Sequence, residues 1–190
     1  MDTINEMREK LRDKLPEKRF EHTLGVEYTC CALAMRYGAD MEKARVAGLL
    51  HDCAKHLSGI KLIKKCHKYN LPTSKEEQEF PELLHAKVGA YLAEYKYGIE
   101  DEEILSAIRW HTTGHPDMTL LEKIVYVADF IEPNRDQAPN LPKIRELAFQ
   151  DLDQCLIEIL GSTLTYLREK GGVIDPATNA TYEYYKGGKA

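Results

Sequence analysis

The chain has 190 residues, enough for one well-buried domain and too few for two comfortable ones. Its 43% hydrophobic and 30% charged residues are typical of a globular protein, and no apolar run approaches the roughly 18 residues that a membrane span requires. The net charge of −5 argues against a nucleic-acid polymer as partner, because it leaves no basic excess to neutralise phosphates.

The N-terminus and the cysteines indicate the cellular compartment. Residues 1–6 lack the basic start and apolar stretch of a secretory signal, so we expect a cytoplasmic protein. The five cysteines are an odd number and contain no Cys-x-x-Cys pair, which argues against both a disulfide framework and a structural zinc site.

Helical periodicity governs the first part of the chain. Apolar residues recur every three or four positions, and each run ends at a residue that breaks or caps a helix, such as Pro16, Gly38 or Asn70. The predicted helical segments are 4–15, 20–37, 40–52 and 60–69.

The same periodicity continues through the rest of the chain until a glycine pair at 171–172. The predicted segments are 81–97, 101–111, 120–132 and one long helix over 141–170. Residues 173–190 lack a helical period, so we expect an irregular, extended tail. No stretch shows the alternation of a strand, and the sequence therefore predicts a single all-α domain over 1–190.

The adjacent pair His51-Asp52 is the most informative feature of the chain, because it directly follows an apolar run. A lone buried carboxylate is very costly, so Asp52 needs a partner. An imidazole and a carboxylate side by side can supply two different ligands to one metal ion. Asp129 has the same character, since it lies in the otherwise apolar run VYVADFI.

Three further histidines are candidates for the same centre. His22 lies near the start of a predicted helix, His85 opens one, and His111 ends one. A single histidine on an amphipathic helix is most often exposed or satisfied by neighbours, and we keep that interpretation for His56, His67 and His115. The joint pattern is more persuasive than its members.

The order His, His-Asp, His, His, Asp resembles the HD-domain superfamily of metal-dependent phosphohydrolases, which is itself helical. Longer segments resemble its YqeK family, whose members are symmetrical bis(5'-nucleosyl)-tetraphosphatases. These segments are EHTLGV at 21–26, GLLHDCAK at 48–55, WHTTG at 110–114, ADFIEPNR at 128–135 and AFQDLD at 148–153. The resemblance implies an HD-domain helical bundle that splits diadenosine tetraphosphate into two ADP.

The resemblance also implies the metal ligands. His22, His51, Asp52 and Asp129 would hold one divalent ion, most naturally iron, with manganese, cobalt or nickel as alternatives that suit the same mixed donors. His85 and His111 would either hold a second ion, with Asp52 as bridge, or contact a substrate phosphate directly. Asp52, His85 and His111 are the expected catalytic residues, and a metal-activated water is the expected nucleophile.

Other residues are expected to bind the substrate. Lys55 follows His51 by one helical turn and either binds phosphate or is a solvated lysine. Arg135 either grips phosphate oxygens or pairs with Asp136 or Glu132, and the resemblance favours phosphate. The full expected set is Glu21, Lys55, His85, His111, Thr112, Asp129, Arg135, Gly172, Val173, Ile174, Asp175, Pro176 and Ala177. The last six would fold over a base or ribose, or would only cap a helix and turn.

Two alternatives remain at the level of sequence. One is another HD phosphohydrolase, acting on nucleoside monophosphates, triphosphates or a cyclic nucleotide. The other is a metal-free helical nucleotide-binding module whose histidines are core residues. The sequence leaves the oligomeric state open, with a homodimer as one option.

Overall fold

A computed structural model describes residues 2–138 and 140–187, and within these ranges the chain is helical with no β-strand. The helices are α1 Ile4–Arg12, α2 Glu17–Tyr37, α3 Met41–Leu50, α4 Gly59–Tyr69, α5 Lys75–Glu79, α6 Leu84–Tyr97, α7 Glu102–Trp110, α8 Leu120–Ile131, α9 Leu141–Ala148, α10 Leu152–Lys170 and α11 Pro176–Lys186. No helix among the described residues is long and apolar enough to cross a membrane. The predicted all-α HD fold is confirmed.

Five helices enclose the centre of the molecule. Helix α2 packs against α3 and α8, while α7 packs against α3, α6 and α8. Their apolar faces meet in one core that includes the fully buried Leu33, Leu49, Ile108 and Ile124. Amphipathic helices of this length gain most of their stability from such packing.

Capping residues fix where these helices begin. Asp40 accepts hydrogen bonds from the first backbone amides of α3, and Asp101 does the same for α7. Thr119 and Glu122 form a reciprocal capping box at the start of α8. The lengths of these helices then place His51 at the C-terminal end of α3 and His111 at the C-terminal end of α7.

The prediction of an irregular tail over 173–190 was wrong for most of its length. Residues 173–175 are non-helical as expected, but α11 follows and packs against α10, burying Thr178, Thr181 and Tyr185. Asp175 caps this helix and a proline occupies its first turn, a strong start signal. The spacing of these threonines and the tyrosine is helical, but they were not counted as core residues. Residues 188–190 lie outside the described ranges.

The predicted helix over 141–170 is two helices, α9 and α10. The chain leaves the helical path at 149–151, and Asp151 caps α10 by accepting a hydrogen bond from the amide of Gln154. Aspartate hydrogen-bonds nearby backbone amides more readily than it continues a helix, so it starts a new one here.

Candidate metal centre

Six side chains from five helices converge at the centre of the bundle, and they are the six candidates that the sequence predicts. They are His22 on α2, His51 and Asp52 at the end of α3, His85 on α6, His111 at the end of α7, and Asp129 on α8. Asp129 is the most accessible, with its side chain 26% exposed, and the others are buried.

The half of the cluster nearest α2 and α8 contains His22, His51 and Asp129. Nε2 of His22 lies 3.1 Å from Oδ1 of Asp129, and Nε2 of His51 lies 3.9 Å from the same oxygen. One donor atom from each of the three lies within 4.8 Å of the other two. Oδ2 of Asp52 lies 3.6 Å from Nε2 of His51 and completes this half.

The half nearest α6 and α7 contains His85 and His111, which share Asp52 with the first half. Their Nε2 atoms are 3.1 Å apart, and Oδ1 of Asp52 lies 3.2 Å from His85 and 3.6 Å from His111. Donor atoms of His51, Asp52 and His111 also lie within 4.8 Å of one another. The two carboxylate oxygens of Asp52 therefore face different halves.

The outer nitrogens of these histidines are hydrogen-bonded in two different ways. Nδ1 of His51, His85 and His111 each contacts the carbonyl oxygen three residues earlier, at 2.7 Å for His51 and 2.8 Å for His111. Nδ1 of His22 instead contacts Oε1 of Glu132 at 3.1 Å. A neutral imidazole that donates through Nδ1 presents a lone pair at Nε2, so these contacts aim four lone pairs at the centre.

The unpaired atoms of the cluster fit a metal ion. Nε2 of His22 and Nε2 of His51 are buried and have no hydrogen-bond partner among the described residues, although Asp129 lies close to both. Leaving such nitrogens unsatisfied is costly, and a cation among them would satisfy both at once. Imidazole nitrogens mixed with carboxylate oxygens suit divalent transition metals better than calcium.

The protonation states of His51 and of the two aspartates agree with this fit. Burial lowers the pKa of His51 to about 4, so that its imidazole is neutral and able to ligate at neutral pH. Burial works to raise the pKa values of Asp52 and Asp129, but hydrogen bonds and charges from the neighbouring histidines outweigh it. Both carboxyl pKa values therefore lie well below the usual range, and both groups are ionised.

Three cations border the cluster. Nζ of Lys55 lies 3.1 Å from Nε2 of His85, and Nη2 of Arg135 lies 3.1 Å from Oδ1 of Asp129. The ion pair of Arg135 is thus with Asp129, not with Asp136 or Glu132. Nη1 of Arg19 lies 2.9 Å from Oδ2 of Asp52. The sequence analysis missed Arg19, whose only signal was its position one helical turn before His22 on α2.

Glu132 is a second residue whose role the sequence analysis missed. Its carboxylate is buried, contacts His22 through Oε1 and accepts a hydrogen bond from the amide of Asn134 through Oε2 at 2.8 Å. A Cβ atom at Gly25 would overlap Oε2, so the glycine makes room for the carboxylate. The signals in the sequence were a glycine three residues after His22 and an acid three residues after Asp129.

One cleft lies beside the cluster, and a second includes His22. We call the first the apolar cleft; it has a volume of about 690 Å³ and is lined by Leu71, Pro72, Thr73, Ser74, Glu77, Leu83, Ala86, Lys87, Arg109, Trp110, Thr112, Thr113, Asp175 and Ala177. It meets the cluster at Thr112, whose Oγ1 lies 3.2 Å from Nε2 of His111. Of the predicted substrate segment 172–177, Asp175 and Ala177 line this cleft and the remaining four residues do not.

We call the second the charged groove; its volume is about 680 Å³ and its lining is Pro16, Lys18, Arg19, Glu21, His22, Glu132, Asn134, Arg135, Asp136 and Gln137. It meets the cluster at His22 itself. The predicted substrate residues Glu21 and Arg135 lie in this groove, away from the predicted segment at 172–177.

The chain is similar to known HD-domain proteins over most of its length. Residues 19–134 match the family described as HD domain. A symmetrical bis(5'-nucleosyl)-tetraphosphatase from Bacillus subtilis (strain 168) is 43% identical over 178 residues, covering 94% of this chain and 95% of that protein. A protein of the same name from Halalkalibacterium halodurans is 44% identical over 174 residues, covering 90% and 91%.

A solved structure is also similar along its full length. It is the crystal structure of a predicted HD superfamily hydrolase involved in NAD metabolism from Clostridium acetobutylicum. The two chains share 40% identity and superpose with a TM-score of 0.96, with 100% of each chain covered.

Proposed function

Because this chain belongs to the HD-domain family, and within it to the symmetrical bis(5'-nucleosyl)-tetraphosphatases, we propose that it hydrolyses diadenosine tetraphosphate (Ap4A) to two molecules of ADP. The observation that carries this proposal is the convergence of six histidine and aspartate side chains between two clefts. A centre in that position can act on the middle of a substrate whose ends extend into both clefts.

We assign His22, His51, Asp52 and Asp129 as the ligands of one divalent ion, most naturally iron, with manganese, cobalt or nickel suiting the same donors. When bound, the ion supplies Lewis acidity, which activates a water as nucleophile and neutralises charge on phosphate oxygens. Glu132 and the backbone carbonyls hold the imidazole rings in the orientation that ligation needs.

We assign His85 and His111 to the substrate and not to a second ion. The ammonium of Lys55 lies 3.1 Å from Nε2 of His85, and a second divalent cation there would be repelled by it. A phosphate group is attracted by the same ammonium. Lys55 and the hydroxyl of Thr112, together with His85 and His111 when these are protonated, then form one group of donors for phosphate oxygens.

The two histidines can also hold a proton for the reaction. Their Nε2 atoms are 3.1 Å apart, a distance at which a proton on one nitrogen forms a hydrogen bond to the other. Burial lowers the pKa of His85, so His85 holds this proton weakly before substrate binds. An arriving phosphate adds negative charge and favours the protonated form, which places a proton donor beside the phosphoryl oxygens.

On the other side of the cluster, Arg135 fixes the remaining phosphate oxygens. Its guanidinium contacts Asp129 through Nη2, and the planar group has further N–H donors for a phosphate. Asp175 and Ala177 line the apolar cleft, where the backbone between α10 and α11 can contact a base or ribose. The central anhydride is thereby held over the cluster, with one ADP as leaving group.

A product assay tests this function. The protein is incubated with Ap4A and a divalent ion, and the nucleotides are separated by anion-exchange chromatography. We expect ADP as the sole product; AMP with ATP would contradict symmetrical cleavage. AMP, ATP and a cyclic nucleotide are offered in parallel, and faster hydrolysis of any of them would favour another HD phosphohydrolase.

Elemental analysis separates the enzyme from a metal-free binding module. After purification without chelators, we expect about one equivalent of a transition metal per chain, since four ligands of this type bind such ions tightly. Absence of metal, together with full nucleotide binding, would support the binding module instead.

A further inference from the structure

We propose that the charged groove is a second nucleoside-diphosphate subsite, which binds the phosphates of the far half of the substrate and does not discriminate its base. This inference rests on the proposed function, because it concerns how the two halves of one dinucleoside tetraphosphate are held. The two identical halves of the substrate would then be recognised differently, one through its phosphates alone and the other also through its base.

The positions of the two clefts support this assignment. The charged groove includes His22, and its residues Arg19 and Arg135 contact Asp52 and Asp129. The apolar cleft reaches the other half of the cluster through Thr112. Cleavage at the central anhydride puts the middle of the substrate at the cluster, so each nucleoside diphosphate extends into one cleft.

The cations of the groove suit phosphates. Lys18 is exposed, and the side chains of Arg19 and Arg135 are 37% and 34% exposed, so all three can be reached by a ligand. Each guanidinium has more N–H donors than its contact with a cluster aspartate uses. Lys18 and Arg19 lie in the first turn of α2, a 21-residue helix with no side-chain cap, and the positive end of its dipole adds to their potential.

The acidic side chains of the groove do not neutralise the positive charge that Lys18, Arg19 and Arg135 offer to phosphates. Glu132 is buried and faces His22, so its carboxylate is already engaged. Glu21 and Asp136 are exposed at the surface. An exposed carboxylate is an acceptor for hydroxyl groups, so Glu21 offers a contact for the ribose diol.

The groove offers a base little to bind. Apart from Pro16, its lining is polar or charged, and His22 supplies the one aromatic ring, which is buried within the cluster. The apolar cleft instead contains Trp110 with Leu71 and Leu83. Base recognition needs a stacking face or an apolar wall, so only the base in the apolar cleft is discriminated.

Mixed substrates test the asymmetry. We measure kcat/KM for Ap4A, for the adenosine–uridine hybrid Ap4U and for diuridine tetraphosphate, Up4U. Ap4U retains one productive orientation, so we expect it to react within about threefold of Ap4A. Up4U lacks a purine to stack in the apolar cleft, and we expect a value lower by about tenfold or more.

A kcat/KM for Ap4U as low as that for Up4U would overturn the proposal, because it would mean that both bases are discriminated. Equal values for all three substrates would also overturn it, because neither base would then be discriminated. If wild-type protein forms no ADP from Ap4A, the proposed function itself has failed, which is a distinct result.

A charge reversal tests the groove directly. Lys18→Glu is compared with Lys64→Glu, a matched change at an exposed position on α4 outside both clefts. We expect Lys18→Glu to lower kcat/KM for Ap4A by about tenfold, since a repulsive charge replaces an attractive one at the phosphates. Lys64→Glu should leave it unchanged.

Binding of ADP supplies the second measurement. Trp110, the single tryptophan of the chain, lines the apolar cleft, so its fluorescence reports on ADP bound there. We expect Lys18→Glu to leave the ADP dissociation constant from this signal unchanged. If Lys18→Glu weakens ADP binding at Trp110 as much as it lowers kcat/KM for Ap4A, a separate phosphate subsite in the groove is refuted. An unaltered kcat/KM for Ap4A would refute it too.

Discussion

The two ends of the histidine–aspartate cluster are stabilised by different means. At the α2/α8 end, His22 and Asp129 are held by charged side chains, Glu132 and Arg135. At the α6/α7 end, Nδ1 of His85 and Nδ1 of His111 each contact a backbone carbonyl oxygen, while their Nε2 atoms lie near Asp52 and each other. The outer nitrogen of His22 is thus supported by a side chain that a mutation can remove. The outer nitrogens of His85 and His111, like that of His51, are supported by the backbone.

This difference relates to what each end is proposed to do. A carboxylate that bonds the outer nitrogen of a histidine orients the ring and increases its basicity as a metal ligand. That support is found at His22, in the half assigned to the ion. At His85 and His111 a neutral carbonyl takes the place of that carboxylate and increases the basicity of the ring less.

The largest expected effect is that of Asp129→Ala. It removes a proposed ligand and leaves Arg135 without its carboxylate partner. We expect metal content and activity to fall together, by more than the roughly 100-fold that loss of an outer partner costs. Elemental analysis and the Ap4A assay measure this, while circular dichroism should stay helical. Asp13→Ala, at an exposed site after α1, is the control; retained metal in Asp129→Ala would refute the ligand assignment.

His85→Ala tests the other end. Because His85 is assigned to the phosphate, we expect the protein to keep its equivalent of metal while kcat falls about 100-fold, as for loss of a proton donor. Metal-to-protein ratio and kcat are measured on the same preparation. Loss of one of two ions on this substitution would show instead that the α6/α7 end binds a second metal.

Glu132→Gln should have a smaller effect, confined to the α2/α8 end. The amide preserves the shape but no longer offers a charged acceptor to Nδ1 of His22, so we expect metal affinity to drop about 10-fold. A chelator-competition titration gives the dissociation constant. Gly25→Ala should act in the same direction by displacing the carboxylate. Reduced stability with unaltered metal affinity would contradict the orienting role.

The smallest effect concerns the segment that follows His111. Buried Glu122 accepts a hydrogen bond from Ser106 at 2.5 Å and lies 3.0 Å from Nε2 of His115. Burial works to raise the pKa of Glu122, but these partners outweigh it, and the pKa lies below the ordinary 4.5. The ionised carboxylate therefore stabilises the fold above that pH, and its contribution is lost as the pH falls through the lowered value.

We accordingly expect Glu122→Gln to lower the free energy of unfolding by about 1 kcal/mol at pH 7. The difference from wild type should shrink as the pH falls below 4.5, the ordinary carboxyl value. Urea denaturation at several pH values measures both numbers. A difference that grows toward acid pH would contradict a lowered pKa for Glu122 in the folded protein.

Part of the site could be predicted from local signatures, and the histidines were identified through the resemblance to the HD-domain superfamily. His51-Asp52 follows an apolar run, and Asp129 interrupts one, so both positions stand out without knowledge of their neighbours. Glu132 and Arg19 have no such signature. Their importance lies in contacts with His22 and Asp52 across the bundle, which depend on how α2, α3 and α8 pack.

The fold shows the same division. The helices that end at proline or glycine were predictable, because those residues act on their own backbone. The helix α11 was not, since its buried face consists of Thr178, Thr181 and Tyr185, which are not distinctly apolar in isolation. They become core residues only because α10 offers a surface for them.

The sequence by itself determined the helical class, most helix ends and the two aspartates of the cluster, because periodicity, capping and the cost of buried charge are local properties. The four histidines were assigned through the order of residues that resembles the HD-domain superfamily. Only the tertiary structure decided which partner holds each member of the cluster, that Lys55 lies next to His85, and that two unlike clefts border the cluster. Those features come from side chains far apart in the chain, whose distances are set by packing.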